Sequence, residues 1–233
     1  MDKIALIIAG GSGLRMQQDI PKQFINVYDK PVIIHTLEVF QKHPNIDAIV
    51  VVCLDGWHDI LRAYCKQFGI TKLVSVVSGG HNGQASIKHG LLEINSRFNL
   101  EDVVLIHDAN RPMVSEEIIS DCLRISSEYG NAIPVIPCAE AMLITDDGIS
   151  SIEQINRDSL KRTQTPHAFT LSDILDAHKE AESKGIIDSV ASCTLYIELG
   201  RKLYFSYGSE KNVKLTTPDD IDIFKALLNT KKQ

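Results

Sequence analysis

From Lys3 to Ala9 the chain is an apolar run of strand length, and it meets Gly10, Gly11 and Gly13 almost at once. A strand that empties into glycines constrains the fold strongly, because it fixes an element and the kind of loop that follows it. Glycine lets the backbone take positive φ and brings main-chain N–H groups close to a ligand. Such groups aimed into one concavity, with Arg15 and Lys22 close behind, suit a polyphosphate. A plain strand-to-helix turn would also explain the glycines, but it needs neither cation. Two familiar phosphate loops do not fit. A P-loop ends in Gly-Lys-Ser/Thr, and this stretch has no Gly-Lys pair. The dinucleotide fingerprint needs a third glycine where Met16 stands, and Glu38, at a suitable distance for its acidic residue, falls inside a predicted helix.

Strand and helix signals alternate after the loop. Pro31 starts a helix, and Ala48 to Leu54 is nearly all apolar, as in a strand covered on both faces. A helix from about Trp57 to Phe68 is stopped by Gly69, and Lys72 to Val77 is the next strand. Gly79-Gly80 then leads into a helix ending near Phe98, and the strand Val103 to Ile106 ends on His107-Asp108. Ser115 caps a further helix with Glu116 and Glu117 in its first turn. This alternation predicts a three-layer α/β fold with a mainly parallel sheet, read as one domain over residues 1–233.

The pattern breaks after Ala132. Residues 132–138 read as a strand that Pro134 and Pro137 place near an edge or a bulge. Asp147-Gly148 between alternating segments predicts a hairpin arm at about 139–156. A hairpin cannot bury its apolar side alone, so it must pack on its own chain or on a partner. Thr217-Pro218-Asp219-Asp220 is a helix start.

The net charge of −6 argues against a nucleic-acid binder, whose footprint is basic. Five cysteines, odd in number and without a C-x-x-C pair, read as reduced core thiols of a cytoplasmic protein. No apolar stretch approaches the ~20 residues of a membrane span. The immediate entry into a strand leaves no room for a signal peptide.

In open α/β sheets ligands gather at the carboxyl ends of strands. Asp108 at such an end can hold Mg²⁺ against a triphosphate, or it can pair with Arg111 or cap the next turn. Ser86 can face a nucleotide base or cap its helix. From the residues alone Lys214 reads as a solvated lysine, Asp188 as a helix cap and His107 as structural.

Several segments match one family in order: A-G-G-S-G-L-R-M with P-K-Q-F, Gly79-Gly80, H-D-A-N-R-P, Q-T-P at Gln164 to Pro166, and N-V-K-L-T-T-P-D-D from Asn212. Together they resemble the cytidylyltransferases acting on methylerythritol 4-phosphate and ribitol 5-phosphate, along the whole chain. The resemblance implies a Rossmann-like α/β fold with a projecting β-hairpin arm that pairs with a partner subunit in a homodimer. It also implies Mg²⁺-dependent transfer of CMP from CTP to a small polyol phosphate, with pyrophosphate released. By the same resemblance Arg15, Lys22 and Lys214 act on the phosphates, and Asp108 binds the metal. Ala9, Gly10, Gly11, Gly13, Gly79, Gly80, Ser86 and Ala109 hold the nucleotide. Arg111, Arg157, Thr165 and Asp188 face the acceptor, with Arg157 reaching it from the neighbouring subunit.

Two positions depart from the family. Gly83 stands where an arginine is usual, and Glu140-Ala141 replaces an Asp-Thr pair in the arm. Both departures, with the wording of the P-K-Q-F and K-L-T-T-P segments, lean toward ribitol 5-phosphate as acceptor and leave methylerythritol 4-phosphate second. A nucleotide-binding subunit without activity is a further alternative, and a nucleotide-dependent dehydrogenase is disfavoured by the absent third glycine.

Overall fold

The computed structural model describes residues 1–11 and 20–230. The expectations for Gly13 and Arg15 lie outside the described residues. β1 (Lys3–Ala9) leads through a 3₁₀ turn, Lys22–Phe24, to the short pair β2 (Asn26–Val27) and β3 (Lys30–Pro31) and then α1 (Val32–Lys42). β4 (Ala48–Cys53), α2 (His58–Gln67), β5 (Leu73–Ser78), α3 (Gly83–Asn95) and β6 (Val103–Asp108) follow the predicted alternation closely. Next come α4 (Glu116–Tyr129), β7 (Asn131–Pro137), β8 (Met142–Ile144), β9 (Glu153–Ile155), β10 (Lys161–Thr163) and β11 (His167–Thr170). The chain closes with α5 (Leu171–Ser183), α6 (Ser192–Glu198), β12 (Phe205–Tyr207) and α7 (Pro218–Thr230).

Side chains alternate across a strand, so one strand feeds two cores. Ala5, Ile7 and Ala9 of β1 pack with Leu37 and Phe40 of α1 and Ile119 of α4 on one face. Ile4 and Leu6 pack with Leu91 of α3 and Ile174 of α5 on the other. Helices therefore cover both faces, which gives the three layers. Each such isoleucine or leucine, fully buried, contributes about 1.5–3 kcal/mol by area. α3 sits close enough that a Cβ on Gly90 would lie 2.4 Å from Leu6 Cδ1. Lys22 is placed by its neighbour: the buried Phe24 ring stacks on Trp57 with centroids 4.5 Å apart.

The sheet runs β10-β7-β11-β6-β1-β4-β5, with β12 also on β7. β6, β1, β4 and β5 are all parallel neighbours. From β1 the chain first builds outward through β4 and β5, then returns to place β6 on the other side of β1. The strand order thus reverses between β1 and β6, and the carboxyl ends there border a crevice suited to a ligand. β11 is antiparallel to β6, with His167 opposite Ile106. Its start therefore lies beside the end of β6, which carries Thr165 to Asp108.

β7 lies near the sheet edge, as its prolines suggest, without being the edge strand: β12 flanks it on one side, β11 and then β10 on the other. The prolines are tolerated because of where their missing N–H groups point. The Pro134 carbonyl accepts from Gln164 N–H, so the ring nitrogen faces the break between β11 and β10, where no ladder donor is needed. Pro137 lies past the last β12 pair, Val135 with Tyr207.

The hairpin forms as predicted in place, β8 pairing antiparallel with β9 and, among the described residues, with no other strand. Its connection is longer than the expected Asp147-Gly148 turn. Residues 145–152 loop around the Asp147 carboxylate, which accepts from the Ile149 and Ser150 N–H groups.

Candidate active site

A cavity of about 670 Å³ opens at the switch point, within the range of small-ligand sites. Ala9, Gly10, Gly11 and Lys22 line one wall, and Gly80 and Ser86 a second. Asp108, Ala109, Arg111, Thr165 and Lys214 line a third. These residues come from six separate stretches, which the parallel core and the antiparallel β11 bring to one edge. Gly79 sits just behind, where a Cβ would lie 3.5 Å from Gly10 Cα. Two expected residues are not brought into the cavity of this chain. Arg157 lies on the surface and donates to the Ala139 carbonyl at 2.8 Å. Asp188 is exposed in the connection before α6.

Asp108 is the electrostatic centre. Its Oδ2 accepts from Arg111 Nε at 3.0 Å and lies 3.1 Å from Lys214 Nζ. Burial pushes the carboxyl up, but Lys214, then Arg111 and His107, override it and hold the group well below the usual carboxylate range. Asp108 is therefore ionised throughout the physiological range. The Arg111 pairing weighed from the sequence is present, and Lys214 is engaged as well rather than solvated alone.

His107 is wholly buried, and burial pushes it down to about 3, so it is neutral. Its Nε2 lies 3.2 Å from the Arg111 carbonyl, which can only accept, so Nε2 carries the proton. Nδ1 then accepts from the Thr165 hydroxyl at 2.9 Å. That hydroxyl oxygen in turn accepts from the Asp108 N–H at 3.1 Å. The structural reading of His107 holds, and Thr165 ties β11 to the end of β6.

Ser86 is not the cap of α3. Asn82 caps it, accepting from Ala85 N–H at 2.8 Å. Ser86 Oγ instead accepts from the Gly80 N–H at 2.9 Å and donates to the Asn82 carbonyl. Gly80 must be glycine here, since a Cβ would lie 2.5 Å from Ala85 Cβ and 2.8 Å from the Ala85 backbone carbon. Among the described residues nothing lies within 4 Å of a Cβ at Gly83. α6 is capped at Ala191, so Asp188 does not cap it either.

Sequence reasoning missed several amides. Gln23 is buried and its Nε2 donates to the Ala9 and Gly11 carbonyls at 2.7 and 3.0 Å, holding both ends of the described glycine stretch. Gln164, Asn110 and Asn212 are buried beside Thr165, Asp108 and Lys214. The available signal was their position next to charged or glycine residues inside matched segments.

Among the described residues no group of three or more His, Cys, Asp or Glu side chains is placed to hold a metal ion. The single carboxylate of Asp108 fits an Mg²⁺ whose other ligands are phosphate oxygens and water, the usual arrangement for that ion.

Fold and site together define an α/β protein with a glycine stretch facing a cation-flanked carboxylate across the switch point. The family model described as 2-C-methyl-D-erythritol 4-phosphate cytidylyltransferase (IspD) matches residues 3–230. A ribitol-5-phosphate cytidylyltransferase of Lacticaseibacillus paracasei is 43% identical over 230 residues, covering 98% of each chain. A 2-C-methyl-D-erythritol 4-phosphate cytidylyltransferase of Clostridium botulinum is 34% identical over 224 residues, covering 96% of each. The crystal structure of 4-diphosphocytidyl-2C-methyl-D-erythritol synthase from Anaerococcus prevotii superposes with a TM-score of 0.83 at 26% identity, covering 98% of this chain and 96% of that one. The chain belongs to the IspD family of cytidylyltransferases.

Proposed function

We propose that the chain transfers CMP from CTP to a polyol phosphate, ribitol 5-phosphate first, giving a CDP-polyol and pyrophosphate. The observation that carries this reading is the carboxylate of Asp108 flanked by Lys214 and Arg111, facing the glycine stretch and Lys22 across one cavity. A phosphomonoester oxygen of the acceptor attacks the α-phosphorus of CTP, and the bond to the β-phosphate oxygen breaks. The acceptor phosphate has a second pKa near ~6, so it is already an anion at neutral pH and needs no general base. The neutral, buried His107 is consistent with that. Lys22 and Lys214, with Arg15, screen the two anions from each other and stabilise charge on the transferring phosphoryl group. Asp108 would hold Mg²⁺, which neutralises phosphate charge when bound. Ala9 to Gly11, Gly13, Gly79, Gly80, Ser86 and Ala109 shape the nucleotide side, and Arg111 and Thr165 the acceptor side.

The ribitol acceptor is favoured by the 43% relative over the 34% one, and by Glu140-Ala141 in the arm. Methylerythritol 4-phosphate is the second reading, favoured by the description of the family model. The domain spans residues 1–233, and the arm at about 139–156 joins two copies, each lending Arg157 to the other's acceptor site, with Asp188 near the acceptor hydroxyls. Five free, buried thiols suit a reducing, cytoplasmic setting. Among the described residues no helix is long and apolar enough to cross a membrane.

The test is pyrophosphate release with each of four nucleoside triphosphates against ribitol 5-phosphate, methylerythritol 4-phosphate and glycerol 3-phosphate, with Mg²⁺ or with a chelator. Mg²⁺-dependent turnover of CTP with ribitol 5-phosphate is expected. Preference for methylerythritol 4-phosphate would replace the acceptor, and silence with CTP throughout would overturn the reading.

A further inference from the structure

The segment that carries Lys214, between β12 and α7, has no regular secondary structure, so no strand ladder or helix sets its position. Two buried amides grip it. Gln164 accepts from the Ser209 N–H through Oε1 at 3.0 Å and donates from Nε2 to the Ser209 carbonyl at 2.8 Å. One side chain thus supplies the pair of bonds that a neighbouring strand would make. Asn110 holds the far side of the lysine with one main-chain and one side-chain bond. Its main-chain carbonyl accepts from the Leu215 N–H at 2.9 Å, and its Nδ2 donates to the Leu215 carbonyl. Lys214 lies between the two grips. Asn110 follows Asp108 by two positions and Gln164 precedes Thr165, so both are rooted in the strand ends that build the cavity.

The amide is the suitable chemistry here. It donates to a peptide carbonyl at both sites, at Gln164 also accepts from the peptide N–H, and it carries no charge. A carboxylate at Asn110 would offer Lys214 a rival to Asp108, and a cation would repel it.

We propose that Asn110 and Gln164 are positioning residues for Lys214, setting where its ammonium stands relative to Asp108. The inference rests on the reading of Lys214 as the cation that stabilises the transferring phosphoryl group. A displacement on the order of 1 Å can cost about 10²-fold in rate. Asn110→Ala and Gln164→Met should therefore each lower kcat by about 10- to 100-fold, with the KM for CTP moved far less.

The deciding measurement is a double-mutant cycle in kcat. In a Lys214→Ala background, Asn110→Ala and Gln164→Met should cost almost nothing further, because the group they position is gone. Losses that multiply would overturn the proposal, since a merely structural role would persist without the lysine. Amide hydrogen exchange on the same proteins reads the grip without the reaction. Exchange should quicken across residues 208–216 in Asn110→Ala while the amides of β1 and β6 stay protected, and unchanged exchange in that segment would equally overturn it. Wild-type protein that shows no CTP turnover would defeat the functional reading, and exchange would still decide the grip.

Discussion

At the cavity rim, Asn82 caps α3, Ser86 holds Gly80, and Thr165 joins His107 to Asp108. On the β8–β9 hairpin, Met142, Leu143, Ile144, Ile149, Ile152 and Ile155 all face solvent. The hairpin turn is nonetheless well made, because Asp147 accepts from two backbone N–H groups of its own loop. The contrast separates two sources of order. The rim combines local bonds in the Gly80–Ser86 turn with long-range bonds between the end of β6 and Thr165, whereas the hairpin is shaped by local bonds alone and leaves its apolar side exposed. A small two-stranded sheet gains little from its own ladder, so a second surface is what would stabilise it.

The contrast can be broken by variants that act on one region and are read in the other. The largest effect is expected at Lys22→Ala, with kcat reduced by about 10²–10³-fold and no change in oligomeric state. A rate that survives would remove Lys22 from the machinery. Acid should come next, through the histidines of the rim. Burial pushes His167 down to about 4 and His107 to about 3 from an ordinary 6.5. Below that ordinary value the unfolded chain takes up protons that the folded chain refuses. Stability from this source is complete above about pH 6.5 and is lost as pH falls toward 4, on the order of a few kcal/mol. Melting curves between pH 7.5 and 4.5 would show it, and a flat Tm would mean the rim opens before it titrates.

Ser86→Ala strips Gly80 N–H of its acceptor, which should cost about 1–3 kcal/mol and raise the KM for CTP. If thermal stability falls while KM does not, the loop serves the fold alone. The smallest effect on the chain itself is expected at Ile152→Asp, within about 0.5 kcal/mol in stability. Sedimentation should nevertheless show weaker self-association, accompanied by a raised KM for the acceptor. Unchanged association would mean that this part of the arm is not what joins two copies.

Legibility in the sequence followed the same divide. The strands were plain because Lys3–Ala9 and Ala48–Cys53 are continuous apolar runs, and Asp108 stood out as a charge ending such a run. The hairpin was visible in its alternation, but the residue count of its loop was not. The prolines place β7 near an edge, but which neighbour their missing donors face depends on strands far away in sequence. Ser86 reads as a cap from its place at the helix start, but Asn82, four residues earlier, already fills that position. Gln23, Asn110 and Gln164 escaped notice because a loop amide has no periodicity and gains its role only when a distant backbone arrives beside it.

The stack of Phe24 on Trp57 has an optical consequence. Trp57 is the single tryptophan of the chain, and its indole rests on the ring two residues beyond Lys22. The protein thus carries an intrinsic fluorophore coupled to the turn that presents a cation to the cavity. Adding CTP should shift or quench its emission without any label, and the concentration dependence would report nucleotide arrival separately from turnover. Emission that stays constant at saturating CTP would show that the turn is already set before the nucleotide enters.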